Sequence, residues 1–472
     1  MFTVRLLAAL GLLSVAASAQ SAMYLDSSGK GQVLIFPYYT VNAGQSTLLT
    51  VVNDSDQGKF VYVRASEGMN DRKVLDFSIL LAPHDSWAGA VFALDATSGA
   101  HLVTDDTSCT APAIRQSTTL PQLPDGRRYA SFDNVNFQND NGPTGVARTR
   151  EGFIEVFELG ELSAQDAQAA ADRNCASFGA SGTQVSALSA PAGGLYGTAV
   201  IVNAAAGTYF TEPSTAIDGF SVTPLAIGAD LSKGSTSVAG PTIQATVPIN
   251  GHLQNLDYTV ARGIDAVSAL LMAEALTGDF AFDSGSGANT EWVITEPTKS
   301  FYTGANVRAP YEEMFGKRRA MSCMPYSPYL WDREQKGVKP TPTLPPISDT
   351  LRPNASLCYA VDVLQFGVLT RTSSVLGSTL NDALAGFVPK ASSGSVNLFL
   401  GRPSQSASPP TSVLPAGSSG PALRGLPAIG FQVTNYVNGN VTPGVLANYA
   451  SAAILHPRVN CSGVDGASKA CP

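Results

Sequence analysis

The chain has 472 residues, a formal net charge of −8, and charged side chains at only 14% of positions, against about 25% in ordinary soluble domains. An acidic balance repels nucleic acid and anionic membrane surfaces, which argues against partners held by their phosphates. Glycine, serine, threonine and alanine replace the missing charges, a composition that favours sheets joined by short turns over helical bundles.

The first residues, "MFTVRLLAALGLLSVAASAQSA", have the parts of a secretory signal. Arg5 precedes an apolar run, and Ala17-Ser18-Ala19 supplies the small-x-small pattern of a cleavage site, so residues 1–19 read as a signal peptide. The run is shorter than the ~20 residues that a bilayer span needs, and no later segment reads as a membrane helix. The expectation is an exported chain, placed in the periplasm, on the outer surface or outside the cell, with no membrane insertion and no nucleic-acid partner.

Residues 20–160 read as a first sheet unit. "QVLIFPYYTV" is followed by sheet-prone runs over 46–54, 59–67, 73–83 and 86–94, separated by turns such as "NAGQ" and "DSDQG". Phe60, Tyr62 and Arg64 alternate with Val61, Val63 and Ala65, the period of a strand with two different faces. Closely spaced strands of this kind predict an antiparallel β-sandwich of immunoglobulin-like type. Pro37 cannot donate to a ladder, so it marks an edge or a bulge. We take Phe36, Pro37, Tyr38 and Tyr39 as a sheet-switching edge open to self-association or partner docking, a position at which Tyr39→Lys would be tolerated.

Residues 104–150 interrupt the pattern as an insertion, and "GFIEVFEL" at 152–159 restores it. A helix capped by Ser163 and a Ser/Gly/Ala linker fill 161–194. A second β-rich domain is expected over 195–472, with a helix at 263–278, strands at 290–303, 356–369, 395–400 and 426–439, and a Pro-rich loop within 311–355. The fold class is mainly β: two sandwich units, a few short helices and long disulfide-pinned insertions.

The six cysteines form an even set in an exported chain, which points to disulfides. Proximity favours Cys109–Cys175, Cys323–Cys358 and Cys461–Cys471. Histidines are scarce and scattered, and no His-Glu-x-x-His or Gly-x-Ser-x-Gly pattern occurs. His84, Asp85 and Ser86 are adjacent, and triads are assembled from distant segments, so these read as a turn. Asp76 with Glu155 could form a glycosidase pair only at the right separation. "FDNVNFQNDNG" gathers oxygen ligands at Asp133, Asn136, Asn139 and Asp140, the kind calcium takes, although the spacing is not that of an EF-hand. No other cofactor is expected. Tyr326, Tyr329 and Trp331 read as a small core under a loop, or as sugar-stacking rings.

Five stretches together, "GQVLIFPYYTVNAGQSTLLTVVND", "VLDFSILLAPHDSWAGAVF", "NTEWVITEPTKSFYTG", "SCMPYSPYLWDRE…SLCYAVDV" and "GLPAIGFQVTNYVNGN", resemble a group of uncharacterised exported, cell-surface-type β-rich proteins of Gram-negative bacteria. The resemblance implies export and surface association and brings no activity or catalytic residue with it. The expected function is a surface-associated structural, binding or adhesion module, with a surface protein or glycan or a second copy as partner. The alternative is a secreted carbohydrate-active or other hydrolytic enzyme on a β scaffold.

Overall fold

A computed structural model describes residues 21–179, 184–238, 240–283, 285–316, 320–334, 337–338, 355–366, 372–383, 392–402 and 411–462. The expected signal peptide, residues 339–354 of the Pro-rich loop and Cys471 lie outside the described residues.

The strands read in the N-terminal third form where their alternation predicts, at Val33–Thr40, Ser46–Asn53, Lys59–Glu67, Lys73–Leu81 and Ser86–Ala93. They divide between two antiparallel sheets. The first has seven strands in the order Tyr24–Leu25, Thr215–Asp218, Val33–Thr40, Glu151–Glu161, Lys59–Glu67, Lys73–Leu81 and Cys109–Ala111. The second has six, in the order Thr208–Pro213, Leu195–Asn203, Ser46–Asn53, Ser86–Ala93, Ala100–Val103 and Tyr129–Ser131. Leu34, Phe36, Val61 and Val63 of the first sheet share one buried cluster with Leu49, Val51 and Trp87 of the second. The opposite face of the first sheet, through Val33, Ile35, Phe60, Tyr62 and Phe157, joins a core that continues into the C-terminal half. The period-two pattern at 60–65 therefore sorts its residues between two cores, as strand geometry requires.

Two expectations are corrected here. The segment at Phe36–Tyr39 is not an exposed edge. Val33–Thr40 lies inside the seven-stranded sheet, and all eight of its residues are buried. Pro37 marks a bulge instead. The register against Glu151–Glu161 slips between Gly152 and Ile154, so Pro37 and Tyr38 together oppose Phe153. The extra residue turns Tyr38 back into the same core as Ile35, which is how a bulge re-aims a side chain. The expected domain boundary at 195 also fails. Leu195–Asn203 pairs along its length with Ser46–Asn53, and Thr215–Ile217 pairs with Val33–Ile35. These strands complete the N-terminal sheets, because the Ser46 and Val33 strands each need a second neighbour for their backbone groups.

The C-terminal half adds further antiparallel pairings, among them Ser393–Leu400 with Met324–Asp332 and Ala275–Ala281, and Ala288–Thr295 with Val361–Gln365 and Ile429–Tyr436. Helices are short. Ala164–Ala171 is capped by the Ser163 hydroxyl, which accepts from the Asp166 backbone N–H at 3.1 Å. Gly263–Leu271 is buried throughout. It ends before 278 because Ala275–Ala281 forms a strand with partners on both sides. No described helix is long and apolar enough to cross a membrane.

Candidate binding face

The residues singled out for chemistry are held apart or held fast. His84 has φ 56° and turns its ring to Asp56 at 2.8 Å, while Asp85 pairs with Arg173 at 2.6 Å. Asp76 and Glu155 do share one row of the seven-stranded sheet, but Arg64 stands between them, opposite both. Arg64 donates to Glu155 at 2.8 Å and to Asp71 at 3.0 Å. This places a cation where a glycosidase needs its substrate.

The residues of the calcium expectation are likewise engaged by other groups of the protein. Asp140 is buried and accepts from the Arg148 guanidinium at 2.5 Å, with Arg72 at 3.3 Å. Against the effect of burial, the Arg148 guanidinium, with the Gly142 N–H, holds its carboxyl below the usual range. Asp133 accepts from the Val135 N–H, and Asn136 donates to the Lys73 carbonyl. Asn139 is exposed. Three of the four thus bond within the protein, Asp140 to arginines and Asp133 and Asn136 to backbone groups. Among the described residues, no group of three or more His, Cys, Asp or Glu is placed to hold a metal.

Cys109–Cys175 and Cys323–Cys358 are bonded as proximity predicts, and Cys461 is also disulfide-bonded. In the Cys323–Cys358 loop, Tyr326 is buried, Tyr329 and Trp331 stack with centroids 6.5 Å apart, and Arg402 covers Tyr329 at 5.2 Å. The core reading of these rings accounts for Tyr326 directly.

Several buried carboxylates act as clasps between distant segments. Glu151 accepts from the Tyr38 hydroxyl at 2.8 Å, the Ser378 hydroxyl at 2.6 Å, and the Thr379 N–H and hydroxyl at 2.8 and 2.7 Å. Glu291 accepts from the N–H groups of Val375 and Leu376. Burial pushes the Glu291 and Glu212 carboxyls up, and Glu155 is pushed up to about 8 by burial against the opposing pull of Arg64, with Asp71 and Asp230 adding to the rise. A raised carboxyl can mark a catalytic site when it faces a cleft. Glu155, Glu212 and Glu291 are all fully buried, so they face protein. A cavity of about 480 Å³ opens between Ala309–Glu312 and Thr411–Ala416, and among the described residues Glu312 is the only carboxylate lining it.

The surface that stands out is the outer face of the six-stranded sheet. Along its strands, Leu49, Val51, Trp87, Leu102, Leu195 and Ala199 point into the core, so the alternate residues point out. Register sets those into rows. One row runs across all six strands: Thr211, Val200, Leu48, Ala90, Val103 and Tyr129. On one side of it lie Tyr209 beside Val202, and Phe92 beside His101 and Ser131. On the other side come Pro213, Thr198, Thr50 and Ala88, then Tyr196, Val52 and Ser86. None of these positions carries Asp, Glu, Lys or Arg. Burial holds the His101 imidazole below its usual range, so it too is neutral at pH 7. Leu48, mid-strand in the central row, is 43% exposed, and Tyr209 is 63% exposed.

Charge returns only at the border of the face. Lys30 pairs with Asp54 and lies 6.0 Å from the Tyr196 ring, and Arg127 pairs with Asp125 and Asp105 at 2.7 and 3.5 Å. An uncharged centre with a charged rim is the anatomy of a protein interface. Sequence reading missed this face because its residues are contributed by strands from Ser46 to Pro213. The available signal was the lack of charge at the outward positions of each strand. Compared with known proteins, the chain matches no family model, no curated protein and no solved structure.

Proposed function

We propose that the chain is an exported, surface-associated structural or binding module, and that it engages an uncharged surface of its partner through the outer face of the six-stranded sheet. The observation behind this reading is the charge-free row Thr211–Val200–Leu48–Ala90–Val103–Tyr129 on a chain of net charge −8. A free sheet face gains solubility from charge at alternate positions, so its complete omission here favours a surface that is covered in use. Glu155, Glu212 and Glu291 are enclosed by protein rather than open to a cleft, which supports binding over hydrolysis. Two disulfides are in keeping with an oxidising compartment outside the cytoplasm.

The test compares the wild-type chain with Leu48→Glu, both produced with the native N-terminal segment in a Gram-negative host and followed by fractionation and protease accessibility. The wild type should be retained at the cell surface and the variant released in folded form. Equal retention of a folded Leu48→Glu protein would remove the face from the function.

A further inference from the structure

We infer that the partner on this face is a second copy of the chain, packed sheet against sheet about a two-fold axis. The inference rests on the reading above that the face is the binding surface. It commits that surface to one occupant.

A two-fold contact sets each patch against itself, so the patch must be self-complementary. A net charge of −8 opposes self-association wherever like charges would meet. The outer face is free of that penalty, because its rows carry no ionised side chain. Size agrees as well. Strands lie about 4.8 Å apart and outward residues recur about every 6.8 Å, so the outward positions other than the buried His101 and Val103 cover on the order of 500 Å² in plane. Side-chain relief brings this close to the ~800 Å² per partner of a stable interface.

The arrangement of side chains favours a protein sheet over a neutral glycan. Branched and small aliphatic residues, Val200, Leu48 and Ala90, fill the middle of the face, while the Tyr209, Tyr196 and Tyr129 rings stand towards its edges. Sugar stacking needs rings where the ligand lies. Facing sheets need interdigitating aliphatics at the centre, with amphipathic rings at the rim. The Lys30–Asp54 and Arg127–Asp105 pairs outside the rings complete that rim.

The experiment is sedimentation equilibrium of the purified, disulfide-intact mature chain from about 1 to about 100 µM, with Leu48→Glu and Ala88→Arg beside the wild type. Ala88 is exposed and outward-facing, so its replacement leaves the core intact. The wild type should sediment at twice the monomer mass, and each variant should weaken association by about a hundredfold while keeping the wild-type melting curve. A wild type that stays monomeric throughout, or dimers that both folded variants preserve, would overturn the second copy as occupant. In the first case, loss of surface retention by Leu48→Glu still leaves the face as a binding surface for another partner with an uncharged surface, so the two readings fail separately.

Discussion

The Thr295 hydroxyl donates to the carbonyl oxygen of Pro37 at 2.5 Å, across 258 residues of sequence. Next to it, the Tyr38 N–H donates to the buried Glu212 carboxylate at 3.2 Å. These two bonds explain why a proline can sit in the middle of a central strand. The ladder with Thr215–Ile217 stops at Ile35, and beyond it the backbone groups on that side have no strand to pair with. Buried backbone groups must be satisfied, and here side chains from two other segments do it. The proline marks the point where the C-terminal half docks.

Thr295→Val should therefore lower stability by about 1–2 kcal/mol, because it leaves the Pro37 carbonyl buried without a donor. Tyr39→Lys should prevent folding, since Tyr39 is fully buried and its hydroxyl donates to the Thr149 carbonyl at 3.0 Å. Ile35→Asp should do the same by placing a charge in the shared core. Yields of soluble secreted protein and urea midpoints would decide. A folded Tyr39→Lys protein would contradict the central placement of this strand.

Glu151 ties the N-terminal sheet to the Ser378–Thr379 segment through three donors, and the Tyr38 hydroxyl of the sheet supplies a fourth. Glu151→Gln keeps the shape but offers an amide N–H₂ to groups that are themselves donors. It should cost about 3 kcal/mol, the range for breaking a buried charged network. Because the two halves share one core, the wild type should melt in a single calorimetric transition. Two resolved transitions would show that the halves are independent.

Local features of this fold were legible, and distant ones were not. The strand at Lys59–Glu67 and the Ser163 helix cap follow from alternation and capping chemistry within about ten residues. The centrality of Val33–Thr40 depends on partners at 151–161 and 215–217, which no local pattern announces. The apolar run at 263–278 fits a helix by period, yet pairing with Ser393–Leu400 converts its second part to strand. Asp140 looked like a metal ligand because a sequence shows an oxygen donor and hides the arginine that neutralises it. The uncharged face appears only once register places Leu48 beside Val200 and Ala90.

Removing the Cys109–Cys175 disulfide should lower stability by about 4 kcal/mol in the chain-entropy model, given its sequence separation of 66. The paired variant Cys109→Ser/Cys175→Ser, unfolded in urea beside the oxidised wild type, measures this. Non-reducing peptide mapping checks the pairing itself, and a free thiol at any of the described cysteines would contradict it.

The Arg64 cluster predicts that stability falls as pH rises through neutrality. One guanidinium faces two buried carboxylates, Glu155 and Asp71, and one Glu155 oxygen has no hydrogen-bond partner. Ionising both acids would leave an unbalanced negative charge away from water, so burial raises both carboxyls, Glu155 from 4.5 to about 8. Between those values the folded protein holds a proton that the unfolded chain releases. The stability this contributes is complete below about pH 4.5 and is lost as pH climbs towards 8. Glu296, raised to about 7 by burial against the pull of Lys299, acts in the same direction. Asp140 and Asp85, held low by arginines, act oppositely, and their contribution disappears only in acid below the ordinary aspartate range. Urea midpoints should therefore peak near pH 5 and decline by pH 8, and Glu155→Gln should lessen that decline by removing one of the raised carboxyls, with Glu212 and Glu291, also raised by burial, still contributing. Midpoints that rise from pH 5 to pH 8, or a Glu155→Gln profile that still tracks the wild type, would show that Glu155 is ionised in the folded protein and fully balanced by Arg64.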